Sequence, residues 1–214
     1  MNILHLNTNY EVSSIYPNML YEFNKLENVT GRLYYPVSSE KVIKDKNIGY
    51  VDISKCLNKF DRLLYFTRNR KLHRDITKIY NIREYDITLA YSLFSNGYLA
   101  YTLKKKYGIP YIVIVQNTDI NFYFKHVVHL RNIGRRILEE AHRVVFISKP
   151  YKQLLLNKYV KSKRKDKVEG KSIVIPFGID NFWISNKIQK KSREKSIIRL
   201  LYVGKINKNK NIKA

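Results

Sequence analysis

The sequence predicts an α/β protein built on a doubly wound, mostly parallel sheet, and three observations carry that expectation. Apolar runs of strand length alternate with amphipathic stretches of helical spacing along the chain. The segment IVIV (112–115) has no polar interruption, so both of its faces are apolar, and such a strand belongs at the centre of a parallel sheet covered by helices. Residues 85–118 read as a complete strand–helix–strand unit, and right-handed crossovers of that kind build an open sheet.

NILHLNT (2–8) is the first strand, and YPNMLYEFNKL (16–26) follows as a helix with Met19, Leu20, Phe23 and Leu26 on one face. GRLYYPV and IGYVDIS are the next two strands. FDRLLYFTRNRKLHRDITKIYNI (60–82) is expected to form one long basic helix, its apolar stripe including Leu63, Leu64, Leu72, Ile76 and Ile79. YDITLAY is a strand, and SNGYLAYTLKKKYG is a helix with Ser95 or Asn96 as its cap, stopped by Gly108 and Pro110. PYIVIVQNT is the central strand. FKHVVHLRNIGRRILEEA (124–141) reads as a helix, HRVVFIS as a strand, and PYKQLLLNKYV as a helix with Pro150 near its first turn. KSKRKDKVEGK is expected to be a charged surface loop, and SIVIPFGID a strand with a turn. NKIQKKSREKSI is polar and charged and reads as a linker, after which IIRLLYVGK opens a new buried strand.

The 214 residues are 44% hydrophobic and 13% aromatic, with 18 tyrosines, enough for one sizeable α/β core and incompatible with disorder over most of the length. A single cysteine, Cys56, excludes a disulfide framework or a cysteine metal site and sets a reducing cytoplasm as the expected compartment. No leader-like segment is visible at the start, and no apolar run approaches the roughly 20 residues that span a bilayer. The formal net charge is +24. It fits a polyanionic partner and equally fits lysine-rich solvated faces in a chain also rich in Asn, Ile and Tyr. The five histidines show no metal spacing, and no Walker motif, Ser-His-Asp order or GxGxxG appears.

The strand ends are the places to look for chemistry, because ligands of open α/β sheets bind beyond the carboxyl ends of the strands. In LLYVGKINKNKNIKA, Gly204 ends a strand and permits a tight turn; Lys205 follows, and Lys210 stands where a helix starts with Asn209 or Asn211 as cap. Two ammonium groups beside free backbone N–H donors suit a pyrophosphate, and the same spacing also describes a solvated basic loop. VQNTD (115–119) closes the central strand. The first strand-to-helix loop, 7–18, is likewise expected to open onto the crevice, with Tyr10, Ser14 and Tyr16 in it.

VVFISKPYK, then IVIPFGID, then a charged linker, then LLYVGKINKNKNIK resembles the central stretch of the family 4 glycosyltransferases of GT-B fold, retaining enzymes that use nucleotide-sugar donors. YSLFSNGYLAYTLKKKYGIPYIVIVQNTDINFYF is similar to bacterial polysaccharide-assembly members. The resemblance implies a Rossmann-like acceptor-side domain at 1–185, a linker at 186–196, and at 197–214 the first strand and turn of a nucleotide-sugar-binding domain. It implies donor-phosphate contacts from Gly204, Lys205 and Lys210, with a lysine where the family usually has arginine. It places Gln116 and Asp119 at the chemistry, Gln116 standing where many relatives carry histidine, and Asn117 and Ser148 at the cleft. Ser13 and Ser14 replace a common Gly-Gly pair, and Phe177 replaces the asparagine of IPNGID.

The implied activity is metal-independent, cofactor-free transfer of a hexose-type sugar from a nucleotide-diphosphate sugar to a saccharide or lipid-linked saccharide in capsule or lipopolysaccharide biosynthesis. The 214 residues alone are expected to be inactive. The expected location is cytoplasmic, peripheral on the inner face of the membrane, with the basic segment 60–82 against an anionic membrane surface at about 1 kcal/mol per well-placed base. The first rival is a non-enzymatic basic module binding anionic membrane or glycan. The second, a nucleic-acid binder, rests on charge alone, without any RRM, KH or helix-turn-helix signature, so no nucleic-acid partner is expected.

Overall fold

The computed structural model describes residues 1–40, 50–62, 64–179, 181–187 and 201–204. The chain divides into two compact units, Met1–Asp180 and Asn181–Ala214. The first holds a seven-stranded sheet, all pairings parallel. In chain order the strands are β1 (Asn2–Leu6), β2 (Thr30–Ser38), β3 (Val51–Leu57), β4 (Ile87–Ala90), β5 (Tyr111–Val115), β6 (Arg143–Phe146) and β7 (Ser172–Val174). Their spatial order is β3-β2-β1-β4-β5-β6-β7. The order therefore reverses direction between β1 and β4, which opens a crevice at their carboxyl ends.

Alternation along each strand divides the core. Ile3, Leu33, Tyr35, Leu89 and Ile114 face α1 (Ile15–Asn24), which contributes Tyr16 and Leu20. Leu4, Leu6, Tyr34, Val113, Val115, Val144 and Phe146 face the other way. They meet α2 (Tyr65–Ile79), α3 (Gly97–Tyr107), α4 (Arg131–Glu140), α5 (Lys149–Lys158) and α6 (Ser162–Glu169) through such residues as Leu72, Leu103, Ile137, Leu155 and Val168. The α3 helix stops where expected, at Gly108, whose φ of 78° suits a residue without Cβ.

Three expectations are corrected. The segment 60–82 is not one helix: a 3₁₀ turn, Lys59–Arg62, precedes α2. Asp61 holds that turn, accepting from the Asn58 N–H at 2.7 Å and from Lys71 at 2.8 Å. The segment 124–141 is also divided, into a π-helical turn at Asp119–Phe124, a 3₁₀ turn at Val128–Leu130, and α4. Arg131 secures this break by donating to the carbonyls of Phe124 (2.6 Å) and Lys125 (3.2 Å). The charged segment at 161–171 is a helix, α6, because Val168 is fully buried and Arg164 pairs with Glu139 of α4 at 2.7 Å.

Helix α4 approaches the core closely at Gly134, where an added Cβ would lie 2.5 Å from the Phe94 ring. In the second unit, α7 (Asn181–Ser185) stacks Phe182 edge-on to Trp183. Of the strand expected from residue 197, residues 197–200 and 205 lie outside the described residues; 201–204 are described without strand, with Leu201 and Val203 exposed.

Candidate functional site

The crevice between β1 and β4 is built from three loops that follow β1, β4 and β5. Asp119 fastens two of them together. Its carboxylate accepts from the backbone N–H groups of Leu93 (2.9 Å), Phe94 (3.1 Å) and Gln116 (2.9 Å). It is 1% exposed, and burial pushes its pKa up to about 6 against the opposing pull of those N–H donors. Of the two residues expected at the chemistry, Asp119 thus has its oxygens on the backbone, where they position the loops.

Asn96 ties the β1 loop to the β4 loop. Its Oδ1 accepts from the Thr8 N–H at 3.2 Å and its Nδ2 donates to Ser92 Oγ at 2.9 Å. It occupies the N-cap position of α3 without a capping side-chain bond, so its expected capping role is replaced by a bridge across the crevice.

Gln116 sits at the mouth of β5, half-buried. Its Nε2 donates to Tyr16 Oη at 2.8 Å and to the Tyr91 carbonyl at 2.5 Å. A carbonyl only accepts, so the amide must turn its NH₂ toward Tyr91, and the orientation of Gln116 is determined. Both amide hydrogens are used, and Oε1 makes no hydrogen bond among the described residues. Tyr16 Oη accepts from Gln116 and retains its own hydrogen to donate. The result is an acceptor and a donor side by side.

Tyr16 is held by aromatic edges, with Tyr91 at 5.7 Å and Phe177 at 6.5 Å between ring centroids. Behind it, Tyr91 Oη lies 2.9 Å from His5 Nδ1. His5 is 1% exposed, and burial lowers its pKa to about 4, so it is neutral at physiological pH.

Of the other expected residues, Asn117 is exposed beside Gln116 and accepts from Asn121 Nδ2. Ser14 is exposed at the start of α1. Tyr10 is turned inward, 4% exposed against Tyr35, and Tyr16 is 8% exposed in the same core cluster. Ser148 is the N-cap of α5, its Oγ accepting from the Tyr151 N–H at 3.4 Å. Gly204 lies in the second unit, and Lys205 and Lys210 lie outside the described residues. Sequence reasoning missed Tyr91, whose carbonyl orients Gln116; an aromatic residue just past an apolar strand carries no signal of a backbone task.

No group of three His, Cys, Asp or Glu side chains that could hold a metal ion occurs among the described residues. Nor is any described helix long and apolar enough to cross a membrane.

No protein-family model matches the chain, and no curated protein matches it in sequence. Solved structures do match its fold. Sucrose-phosphate synthase from Thermosynechococcus elongatus aligns over 86% of this chain and 93% of its own, at 12% identity and a TM-score of 0.60. UDP-GlcNAc 2-epimerase from Neisseria meningitidis, bound to UDP-GlcNAc, aligns over 81% of this chain at 12% identity and a TM-score of 0.52. The Methanocaldococcus jannaschii UDP-GlcNAc 2-epimerase aligns over 81% at 12% identity and a TM-score of 0.51. The chain spans less than half the length of these epimerases, 46% and 44%. The likeness establishes the fold: a Rossmann-like α/β half of the GT-B type.

Proposed function

We propose that this chain is the acceptor side of a retaining family 4 glycosyltransferase. It takes a hexose-type sugar from a nucleotide-diphosphate sugar to a saccharide or lipid-linked saccharide in surface-polysaccharide assembly. In this reading residues 1–185 hold the acceptor, 186–196 link, and 197–214 open a nucleotide-sugar domain that uses Gly204, Lys205 and Lys210 for the diphosphate. The enzyme works in the cytoplasm at the inner membrane face, without metal or cofactor.

The observation that carries the proposal is the Gln116–Tyr16 pair. A sugar hydroxyl is both donor and acceptor, and this pair presents the complement: Oε1 to receive its hydrogen and Oη–H to bind its oxygen. Glutamine takes no proton. The hydroxyl oxygen attacks the anomeric carbon, the bond from that carbon to the phosphate oxygen breaks, and the departing phosphate accepts the proton. Gln116 and Tyr16 act by orientation, and Asp119 and Asn96 hold their loops in place.

The fold neighbours support the reading, since sucrose-phosphate synthase and UDP-GlcNAc 2-epimerase are named for sugar phosphates and a nucleotide sugar. A glycan array tests it, with Tyr16→Phe and Gln116→Leu beside the wild type. The expected result is saccharide binding weakened at least about tenfold in both variants. The contacting groups are neutral, so the binding should be insensitive to salt. Glycan binding abolished by salt and unchanged in both variants would transfer the case to the basic binding module.

A further inference from the structure

A second site lies away from the crevice, between α2 and α3. A cavity of about 420 Å³ is lined by Asn69, Arg70, His73 and Arg74 from one helix and by Tyr98, Tyr101, Thr102, Lys105 and Lys106 from the other. The spacing explains the convergence. Residues three and four apart share a helix face, so 70 and 74 fall together on α2, and 98, 101, 102, 105 and 106 on α3. Four cations line the cavity and no carboxylate does.

Among the described residues those cations have little acidic company, and Lys105 and Lys106 lie over the Tyr101 and Tyr107 rings at 5.8 and 5.2 Å. Lys105 reaches Glu140 only at 3.8 Å, while Arg70, Arg74 and Lys106 have no acidic partner. All four are exposed, so water and salt screen their mutual repulsion, and an anion seated among them would lower it further. One lining residue also holds an unanswered acceptor, an oxygen buried beneath the cavity surface. Asn69 is 2% exposed, its Nδ2 donates to the Tyr65 carbonyl at 2.8 Å, and its Oδ1 has no hydrogen-bond partner. A buried carbonyl oxygen left unmatched costs free energy, which a ligand hydroxyl would recover once the Asn69 amide turns toward the cavity.

His73 adds a third feature. Thr102 Oγ1 spends its hydrogen on the Leu99 carbonyl at 2.8 Å, so the 3.2 Å contact with His73 Nδ1 requires the proton on that nitrogen, and Nε2 is left open. Tyr98 and Tyr101 supply rings along one wall, and exposed Phe66 continues them, 6.1 Å from Tyr98.

We infer that the α2–α3 cavity binds a phosphate ester that also carries a hydroxyl, with Arg70, Arg74, Lys105 and Lys106 on the phosphate and Asn69 on the hydroxyl. Arginine suits this task because its planar fork meets phosphate oxygens in pairs. The site is independent of the crevice and of the reaction proposed for it. The ester arrives either as a soluble polyol phosphate or as the headgroup of an anionic glycerophospholipid, on which the aromatic wall would meet the glycerol and acyl region.

The test uses the 214-residue chain, the variant R70Q/R74Q, and a control, K161Q/K163Q, that removes the same charge from an exposed part of α6 and the residue before it. Glycerol phosphate and inorganic phosphate are titrated while the NMR signals of His73 and Thr102 are followed. Cosedimentation with vesicles is measured for equal parts phosphatidylglycerol and phosphatidylcholine, and for phosphatidylcholine alone. Saturable shifts with glycerol phosphate, tighter than with inorganic phosphate and weakened at least about tenfold in R70Q/R74Q but not in the control, identify a soluble ester. Vesicle binding that needs phosphatidylglycerol and fails only in R70Q/R74Q identifies the lipid. Equal losses in the two variants, or no loss in either, overturn the site and leave a solvated basic face. Equal affinity for the two phosphates removes Asn69 from it.

Discussion

Replacing Asp119 by asparagine tests whether burial or hydrogen bonding dominates at the point where the crevice loops are fastened. The carboxylate accepts three backbone N–H bonds, which favour its charged form, and is 1% exposed, which disfavours it. Burial wins, moving its pKa from 3.8 to about 6, a difference worth about 3 kcal/mol. The folded chain therefore holds more protons than the unfolded chain between those values. Acidification through that window stabilises the fold by this amount, and the contribution is lost as pH rises through about 6. Asparagine has the same shape and no titration. It keeps an oxygen for two of the N–H groups and turns its own NH₂ toward the third, at a pH-independent cost of about 1–3 kcal/mol.

The assay is urea unfolding followed by far-UV circular dichroism, for wild type and Asp119→Asn, across the window. The stability of the wild type minus that of the variant should grow by about 3 kcal/mol on acidification. The subtraction removes every other titrating group. A flat difference would show that the three N–H bonds balance burial, and one that shrinks on acidification that they outweigh it; either would refute the reasoning.

His5 should do the opposite. Its folded pKa of about 4 lies below the ordinary 6.5, so the folded chain holds fewer protons between them and is destabilised as pH falls through that window, by about 3 kcal/mol in all. In His5→Asn that acid-induced loss should be absent from the same denaturation series. Gly134→Ala should lower the thermal midpoint, at a cost of about 1–3 kcal/mol, because its new methyl meets the Phe94 ring at 2.5 Å; an unchanged midpoint would mean the ring has room to move. Val168→Ala should cost about 1–3 kcal/mol and speed amide exchange in α6 more than in α4, since Val168 is the fully buried anchor of that polar helix. Ser148→Ala should cost about 1 kcal/mol or less, the cap bond being long at 3.4 Å, and a larger loss on urea titration would point to a further role for that hydroxyl.

How far the sequence could be read depended on the range of the interactions involved. The alternation of apolar runs, the unbroken IVIV and the Gly108 stop are local, and each determined its element without reference to the rest of the chain. The sequence also placed Gln116 and Tyr16 after strand ends, and the structure brings the two side chains together, Nε2 of one 2.8 Å from Oη of the other. Tertiary contacts decided the remainder. Nothing local distinguishes Asp119 as a buried clasp from an exposed acid, since its three donors include residues 93 and 94. The helix at 162–169 became one through a single valine reaching a core assembled elsewhere, and the helix expected at 124–141 was broken by an arginine turning back on two carbonyls. The α2–α3 cavity belongs wholly to this second kind: periodicity assigns each cation to a helix face, but only packing places two such faces opposite each other. A sequence states what each residue offers, and partners distant in the chain settle which offers are taken, because hydrogen bonds and burial act over a few ångströms of space whatever the separation in sequence.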